Sequence, residues 1–497
     1  MKKIKFPTAQ TILIIIAGLV TILTWLIPAG KYDTLLYNKT ENTFIQTSTN
    51  ETKNLKATQE TLDKLTINIP LEKFTSGEIY KAINIPNTYK KLKATPQGVT
   101  DFIKSPIQGI IEAADIIFLV LIIGGLIGII NKTGAFDAAI SWLANVLKGY
   151  EFILIVLVTL LVAIGGTTFG LAEETIAFYP ILIPIFLAAK YDAMVPLASI
   201  YLGSSIGTMC STVNPFSTII ASNASGVNWT TGFTGRLIML ILCLVISIVY
   251  IMRYAKRVKL NPEKSILYEQ KTQIEALFGN STETTVEFTT RLRLALLVFG
   301  LCFVVMIIGV SLLEWWFIEM TAVFLVGAVI IGIITKIKET AFVETFVKGA
   351  SDLLGVALII GVARGVSVIM ENGLISDTML YYASDLTSSM PKGIFANVMV
   401  LIYGGLSFFI PSSSGMAVLT MPIMSPLADT VGIGRDIIVN AYQYGMGLFA
   451  IINPTGLILA SLAVVKVGYD KWLKFVMPLL FILIGFTLLI MTISVYI

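Results

Sequence analysis

The chain has 497 residues, of which 56% are hydrophobic and only 13% are charged, whereas soluble proteins use about 25% charged residues to cover their surface. This composition argues against a soluble domain and indicates a protein of the lipid bilayer, and the formal charge of +4 gives no sign of nucleic-acid binding. Because histidine is absent, the chain lacks the commonest metal ligand and near-neutral proton carrier, which argues against a hydrolase of the HExxH kind.

Apolar stretches long enough to cross about 30 Å of hydrocarbon recur from one end of the chain to the other. They predict an all-α polytopic membrane protein with about ten to twelve transmembrane segments. The first stretch follows Lys2, Lys3 and Lys5, and its apolar length of about 20 residues without a small-residue cleavage site predicts a membrane anchor and not a signal peptide. The stretches lie near residues 9–28, 107–130, 152–164 continuing into 176–189, 194–210, 234–252, 293–312, 316–335, 353–370, 395–410, 435–460 and 475–496.

Basic residues beside the apolar stretches predict the orientation, because cytoplasmic loops are enriched in Lys and Arg. The lysines at the start place the amino terminus in the cytoplasm, and Lys471 and Lys474 make the last helix run outward, which leaves the carboxyl terminus outside. The predicted parts are an amino-terminal transmembrane helix at 1–28, an extracytoplasmic loop at 29–105, a first inverted repeat at 106–253, a cytoplasmic connector at 254–292, linking transmembrane helices at 293–335 and a second inverted repeat at 336–497.

The two repeats are predicted from four features that recur in the same order, each about 240 residues further on. The helix at 234–252 ends at a basic cluster whereas the helix at 475–496 begins at one, so the two copies run in opposite directions. Inverted repeats are typical of transporters that work by alternating access. The matched features are Asp115 and Gly124 with Asp352 and Gly361, Gly134 with Gly373, Pro180 and Pro184 with Pro422 and Pro426, and Asn214–Pro215 with Asn453–Pro454.

Each Asn-Pro pair interrupts a long apolar segment. Proline removes a backbone donor and clashes with the preceding turn, so we expect two helices that break near mid-membrane and free backbone groups for a solute. A proline kink that neighbouring hydroxyls satisfy is the structural alternative. The candidate binding residues at the breaks are Ser211, Thr212, Asn214, Asn453 and Thr455.

A second polar interruption precedes each break, GGTTFGLAEET at 165–175 and SFFIPSSSGM at 407–416. Small and hydroxylated residues between apolar arms predict the tip of a re-entrant hairpin, with an ordinary external turn as the alternative. The candidate binding residues at the tips are Thr167, Thr168, Glu173, Glu174, Ser412, Ser413 and Ser414.

Charged residues inside apolar segments are costly and are therefore usually paired or functional. Glu173 or Glu174 would meet a cationic solute, or would form a salt bridge to Arg364. Arg364 would alternatively bind a solute carboxylate with its planar guanidinium group. Asp115 and Asp352 occupy matched positions near helix starts, where an anion offsets the helix dipole, and we interpret them as structural.

These motifs resemble the four-carbon dicarboxylate anaerobic carrier family of the ion transporter superfamily, and the resemblance extends over nearly the whole chain. GGTTFGLAEETIAFYPILIP, STVNPF and FFIPSSSGMAVLTMPIMSPLAD resemble its basic amino-acid antiporter branch, which includes arginine/ornithine exchangers. The resemblance implies hairpins that enter from opposite faces, a homodimer and a bacterial cytoplasmic (inner) membrane. In sodium-coupled relatives, Ser-Asn-Thr clusters bind sodium at these places. STVNP and SSSG match in part, so Na⁺ near Ser211, Asn214 and Asn453 stays open, with no other cofactor or metal expected.

We therefore predict a secondary active transporter, and not an enzyme, that carries a small amino acid or carboxylate. The first hypothesis is exchange of arginine for ornithine by alternating access. The second is a dicarboxylate or other carboxylate carrier, coupled to sodium or protons, in which Arg364 binds the anion. An ion channel is a third hypothesis, and a conductance far above the turnover of a carrier would reveal it.

Overall fold

The computed structural model describes residues 7–49, 51–77, 79, 81–136, 138, 150–278, 289–313, 315–387 and 390–496. Long helices dominate these residues. The lysines at the amino terminus, part of the predicted connector at 279–288 and Ile497 lie outside the described residues, so the predicted positions of both termini remain predictions.

The helices of the first half include one amino-terminal membrane helix and then a series of paired and broken helices. They are α1 (Ala9–Leu26), α2 (Gln59–Lys64), α3 (Glu72–Thr75), α4 (Val99–Glu112), α5 (Ala114–Thr133), α6 (Phe152–Phe169), α7 (Tyr179–Ala188), α8 (Met194–Met209), α9 (Ile220–Ala224), α10 (Phe233–Leu260) and α11 (Lys271–Phe278). A 3₁₀ turn, Glu173–Phe178, leads into α7, and a π-helical turn, Pro215–Ile219, leads into α9.

The second half begins with two membrane helices and then repeats the series. Its helices are α12 (Thr290–Leu312), α13 (Phe317–Ile334), α14 (Glu339–Asp352), α15 (Leu354–Gly373), α16 (Ser376–Thr387), α17 (Lys392–Ser407), α18 (Ser413–Val431), α19 (Arg435–Ala450), α20 (Ile458–Val465) and α21 (Tyr469–Tyr496).

Eight helices of the described residues are long and apolar enough to cross a membrane, namely α1, α5, α6, α10, α12, α13, α15 and α21. Two shorter helices, α8 and α17, are also apolar. Leu294, Leu297 and Leu301 follow one side of α12 and are about half exposed. Such a stripe on a membrane helix is suited to contact with lipid.

The two repeats are visible as the same order of elements. In the first, α4 and α5 are followed by a hairpin of α6 and α7, a broken helix formed by α8 and α9, and α10. In the second, α14 and α15 are followed by a hairpin of α17 and α18, a broken helix formed by α19 and α20, and α21. We call residues 152–188 the first hairpin and residues 392–431 the second hairpin.

The open end of the first hairpin lies beside the connector that follows α10. Lys259 at the end of α10 forms an ion pair with Glu151, just before α6, at 3.1 Å. In the connector, the hydroxyl of Ser265 donates to Asp192 Oδ2, between α7 and α8, at 2.5 Å. We call this face of the molecule the connector side.

The open end of the second hairpin lies at the other end of the first broken helix, where α9 ends. Arg435, which follows α18, donates to the Ser225 carbonyl at the end of α9 at 3.0 Å. Gly226 in turn lies against Asn68 of the region before α4. We call this face the sheet side, because residues 30–91 form a small β-sheet unit there. The two hairpins therefore enter from opposite faces, as predicted.

The first helix of each repeat packs against the second helix of the other repeat. Thus α4 packs on α15, and α14 packs on α5. A Cβ atom on Gly109 of α4 would lie 2.3 Å from the carbonyl oxygen of Gly361 on α15. A Cβ atom on Gly349 of α14 would likewise lie 2.3 Å from the carbonyl oxygen of Gly124 on α5. Glycine thus permits direct backbone contact at equivalent places, which is how membrane helices commonly associate.

The region predicted as an extracytoplasmic loop is largely folded. A four-stranded antiparallel sheet has the order β4-β3-β2-β5, in which Leu36 pairs with Ile45 and Ile45 pairs with Asn54. Phe44 and Phe74 are buried beneath it. This sheet is added to a membrane region that is all-α, as predicted. The strands are β1 (Gly30–Lys31), β2 (Thr34–Asn38), β3 (Thr43–Thr47), β4 (Thr52–Lys56), β5 (Ile83–Asn84) and β6 (Lys90–Lys91), and β1 pairs with β6.

The sheet unit is docked on the second repeat. The backbone N–H of Tyr32 donates to Asp377 Oδ2 at 3.0 Å, and Asn84 Nδ2 donates to Asp377 Oδ1 at 3.2 Å. The ring of Tyr89 stacks on that of Tyr381, with centroids 4.2 Å apart. The unit therefore covers α16 and approaches the second hairpin on the sheet side.

Candidate functional site

The tip of the first hairpin turns at a glycine. Gly170 has φ of +79°, in the left-handed region, and a Cβ atom there would lie 2.9 Å from Asn214 Nδ2. Glycine therefore permits both the turn after α6 and the close approach of the asparagine. The chain then returns through a 3₁₀ turn into α7, which confirms the predicted re-entrant hairpin.

The first break spans residues 210–214, between α8 and the turn that begins at Pro215. Asn214 Oδ1 accepts a hydrogen bond from the N–H of Phe216 at 2.8 Å, and its Nδ2 donates to the Gly166 carbonyl in the first tip at 3.4 Å. The N–H of Thr212 donates to Thr167 Oγ1 at 3.0 Å, and that hydroxyl donates to the Cys210 carbonyl at 3.0 Å. The tip therefore satisfies the backbone groups that the break frees.

The second break has the same chemistry. Asn453 Oδ1 accepts from the N–H of Thr455 at 3.0 Å, and its Nδ2 donates to the Ser407 carbonyl at the end of α17 at 2.8 Å. The hydroxyl of Thr455 donates to the Phe408 carbonyl at 2.8 Å. Asn214 and Asn453 are only 2% and 3% exposed. Both interruptions are full breaks, each closed by the tip of its own repeat, and not proline kinks.

The serines of the second tip begin α18. Ser412 is the N-cap, and its Oγ accepts from the N–H of Gly415 at 3.1 Å. Tyr442 of α19 donates to the Ser413 carbonyl at 2.8 Å. The ammonium group of Lys81, just before β5, donates to Ser414 Oγ at 2.8 Å. The second tip is thus held by α19 and by the sheet unit together.

The two carboxylates of the first tip differ in their surroundings. Glu174 is 7% exposed, and its Oε2 accepts a hydrogen bond from the N–H of Ala172 at 3.1 Å, whereas Glu173 is only partly buried. Within the described residues, no Lys or Arg nitrogen lies within 4.0 Å of either carboxylate. Thr168, nearby, donates to the Ile164 carbonyl of its own helix at 2.6 Å.

Arg364 is paired elsewhere. Its Nε lies 2.9 Å from Glu112 Oε2 at the end of α4, and its Nη2 lies 3.4 Å from Glu371 Oε1. The salt bridge to Glu173 or Glu174 that the sequence left open is therefore absent. Glu112 and Arg364 are 252 residues apart in sequence, and the packing of α4 on α15 brings them together.

The helices that carry the breaks pack against each other. A Cβ atom on Gly447 of α19 would lie 2.2 Å from Met209 Cβ at the end of α8. The hydroxyl of Tyr201 on α8 donates to the Ala450 carbonyl, just before the second break, at 2.8 Å. Apart from Arg364, the candidate residues of the two repeats therefore belong to two adjoining tip-and-break units.

The chain matches the family model "C4-dicarboxylate anaerobic carrier" (DcuC) over residues 6–496. The protein belongs to this family. An uncharacterized protein of Haemophilus influenzae is 44% identical to this carrier over all of the chain and 98% of that protein. The Escherichia coli K12 protein named "Putative basic amino acid antiporter YfcC" is 28% identical over 94% of the chain and 92% of that protein. The carrier is thus a multi-pass membrane transporter of small molecules.

Two solved transporter structures also align with the DcuC-family chain. The YdaH transporter of Alcanivorax borkumensis is 12% identical, with a TM-score of 0.40, over 98% of both chains. MtrF of Neisseria gonorrhoeae, whose structure describes a class of antimetabolite efflux pumps, is 15% identical, with a TM-score of 0.41, over 99% of this chain and 96% of its own.

Ion binding by the carrier stays a prediction. In the part of the chain that the structure describes, no group of three or more Cys, Asp or Glu side chains could hold a metal ion. Around the first break, Ser211 Oγ donates to the Thr167 carbonyl at 3.5 Å and accepts from Ser217 Oγ at 3.2 Å. These oxygens are the kind of ligand that sodium takes, but they already bond to one another.

Two residues that contact the site of the carrier were not predicted. Lys81 lies in a polar stretch with no motif around it, and Gln443 lies in the stretch 435–460, which was predicted only as an apolar span. A buried amide in a membrane helix is a signal in itself, because it needs a partner there. Gln443 could have been found by that criterion, whereas the contact of Lys81 depends on how the sheet unit docks.

Proposed function

We propose that this DcuC-family transporter exchanges basic amino acids, arginine inward for ornithine outward, by alternating access in the bacterial inner membrane. The observation that carries this proposal is the pair Glu173 and Glu174 at the first tip, without a Lys or Arg within 4.0 Å among the described residues. A carboxylate inside the membrane calls for a cation, and the charged side chain of arginine or ornithine supplies one. The relative named "Putative basic amino acid antiporter YfcC" supports the same substrate class.

The second tip would receive the α-carboxylate of the solute. This tip lies at the amino end of α18, which carries Ser412, Ser413 and Ser414, and helix amino ends attract anions. In this scheme one solute bridges the two tips, with its cationic end at the first and its carboxylate at the second. Exchange follows if the empty carrier reorients slowly.

The proposed orientation places the sheet side outside the cell and the connector side in the cytoplasm. Arg253, Lys256, Arg257 and Lys259 gather at the end of α10 on the connector side, which fits the enrichment of basic residues in cytoplasmic loops. A homodimer, implied by resemblance, is part of the proposal.

A carboxylate carrier is the second candidate, and the position of Arg364 favours it. Ser367, one turn further along α15, donates to the Phe409 carbonyl of the second tip at 3.3 Å, so Arg364 lies near that tip. Its two carboxylate partners, Glu112 and Glu371, already offset its charge, which is why we rank this candidate second.

Proteoliposomes loaded with ornithine test the proposal. We expect uptake of labelled arginine that depends on internal ornithine, and no uptake of labelled succinate. Uptake of succinate without arginine would overturn the proposed substrate class. Repeating the assay with and without a sodium gradient decides whether Na⁺ contributes.

Variants of the carboxylates test the role of the first tip. Glu173→Gln or Glu174→Gln should weaken arginine binding about tenfold or more, since a charge-assisted hydrogen bond is lost. Glu60→Gln, on the surface of the sheet unit, is the matched control and should bind like the wild type. Wild-type affinity in both tip variants would rule out the proposed pairing.

A further inference from the structure

Gln443 joins the second repeat to the first break. It lies on α19, is 2% exposed, and donates through Nε2 to the hydroxyl of Thr218 in the first repeat. The hydroxyl of Thr218 donates in turn to the Ser211 carbonyl at 3.0 Å. A fully buried amide from one repeat is therefore two hydrogen bonds away from the backbone of the break in the other.

The orientation of this amide is fixed by its partner. A threonine hydroxyl has one proton, and that of Thr218 is used on the Ser211 carbonyl. Toward Gln443 the hydroxyl can only accept, so the NH₂ group faces it and Oε1 points the other way. Within the described residues, Oε1 is buried and has no hydrogen-bond donor.

A buried carbonyl oxygen without a donor lowers the stability of the fold, so this atom calls for a donor, either an ordered water or a group of the solute. The neighbouring residue Tyr442 donates to the Ser413 carbonyl in the second tip. The turn of α19 at 442–443 therefore contacts the second tip on one side and the first break on the other.

We propose that Gln443 is a specificity-determining residue whose Oε1 accepts a hydrogen bond from the α-ammonium group of the transported amino acid. This inference rests on the proposed function. An α-ammonium group is attached to the same carbon as the α-carboxylate, so a solute whose carboxylate meets the second tip brings its ammonium group beside α19. A carbonyl oxygen accepts from an ammonium group but offers nothing to a dicarboxylate at this position.

Gln443 would act by disfavouring solutes that lack an α-ammonium group. A site that hydrogen-bonds a substrate N–H discriminates strongly against the analogue without it, because the polar group of the protein is then left unpaired. The probe is 5-guanidinopentanoic acid, which is arginine without its α-ammonium group. The measured quantity is the ratio of its Kd to that of arginine, on the purified full-length protein.

We expect the wild type to prefer arginine by about tenfold or more. Gln443→Leu should bring the ratio close to one by weakening arginine binding alone. Gln443→Glu keeps an acceptor at the same reach and should retain the preference for arginine. Thr487→Val is the matched control, because it also removes a buried oxygen without a hydrogen-bond partner, here a hydroxyl on α21 away from the tips and breaks. Its ratio should equal the wild-type ratio.

The outcomes separate this inference from the proposed function. Equal weakening of both ligands in Gln443→Leu, or a wild-type ratio near one, overturns the role of Gln443 and leaves arginine exchange standing. A wild type that binds neither ligand overturns the proposed function and this inference with it. If Gln443→Leu does not fold, Gln443→Glu decides, because loss of discrimination in this folded, acceptor-bearing variant contradicts the proposal.

Discussion

At the scale of single residues, Asn214 and Asn453 perform the same task. Each uses Oδ1 to bind the second backbone N–H after it and Nδ2 to bind a carbonyl of its hairpin tip. The amide of asparagine offers an acceptor oxygen and a separate donor nitrogen, so it can hold both partners at once. Aspartate would keep the acceptor but place an oxygen opposite the carbonyl of the tip.

Asn453→Asp should therefore reduce exchange about tenfold or more and lower the melting temperature, because a buried carbonyl loses its donor. Initial exchange rates in proteoliposomes and thermal unfolding in detergent measure the two effects. The matched control is Asn397→Asp, since Nδ2 of Asn397 donates to Thr492 Oγ1 at 2.7 Å outside the tips and breaks. It should lose stability while keeping its exchange rate. Full exchange in Asn453→Asp would contradict the assigned role.

Lys81 should make docking of the sheet unit depend on pH. Burial, and secondly the nearby Arg364, lower the pKa of the Lys81 ammonium below its ordinary value of 10.5. The unfolded chain then binds this proton more tightly than the folded one. The stability contributed by Lys81 therefore rises as pH increases from the lowered pKa through 10.5.

The melting temperature of the wild type minus that of Lys81→Met, followed from pH 7 to about pH 10, isolates this contribution. The difference should increase with pH. Lys64→Met, which changes an exposed lysine of the same unit, is the control variant. A difference that decreases with pH for Lys81→Met would show that the ammonium form stabilises the contact.

At the scale of elements, the sequence predicts local interruptions well. Proline and glycine mark the breaks and tips within a few residues, so the two Asn-Pro breaks and both hairpins lie where they were expected. The stretch predicted as a single span at 107–130 is divided at Ala113 into α4 and α5, a division that hydropathy does not mark. The strands of the sheet unit are at most five residues long and mostly polar, so no periodic pattern reveals them.

Contacts between distant elements could not be predicted. One partner of Arg364, Glu112, lies on α4 because the first helix of each repeat packs against the other repeat, and nothing near either residue in the sequence encodes that arrangement. Glycine is common in membrane helices, so the glycines where α4 crosses α15 and where α14 crosses α5 do not stand out in the sequence. The same holds for Lys81, whose contact with Ser414 crosses 333 residues.

Gly109→Ala and Gly349→Ala should each destabilise the protein by several kcal/mol, because the added Cβ would meet a backbone carbonyl at 2.3 Å. Gly355→Ala on α15 is the matched control, since nothing lies within 4 Å of its added Cβ. It should stabilise by about 1 kcal/mol through helix propensity. Thermal unfolding in detergent compares the three. Equal melting temperatures for the three variants would mean that the backbones of α4 and α15, and of α14 and α5, are not in close contact.

At the scale of the whole molecule, the opposite insertion of the hairpins predicts which side a reagent can reach. Lys392 at the open end of the second hairpin and Lys190 at the open end of the first are both exposed. The three native cysteines, Cys210, Cys243 and Cys302, are free and buried, so background labelling should be low.

In intact cells, a membrane-impermeant maleimide should label Lys392→Cys and should label Lys190→Cys only after permeabilisation. Lys64→Cys on the sheet unit should behave like Lys392→Cys and serves as the positive control. Labelling of Lys190→Cys alone in intact cells would reverse the proposed orientation and leave the fold unchanged.

The exchange of helices between repeats has a consequence for how the chain is made. The glycine surface of α4 leaves the ribosome first, but its partner α15 follows about 250 residues later, which at cellular rates of synthesis is roughly 10 to 50 seconds. During that time the helix on which α4 packs has not been synthesised, and the first half of the chain is incompletely packed in the bilayer. We therefore expect that the two halves complete their packing together, late in biogenesis, and that neither half folds fully when it is expressed alone.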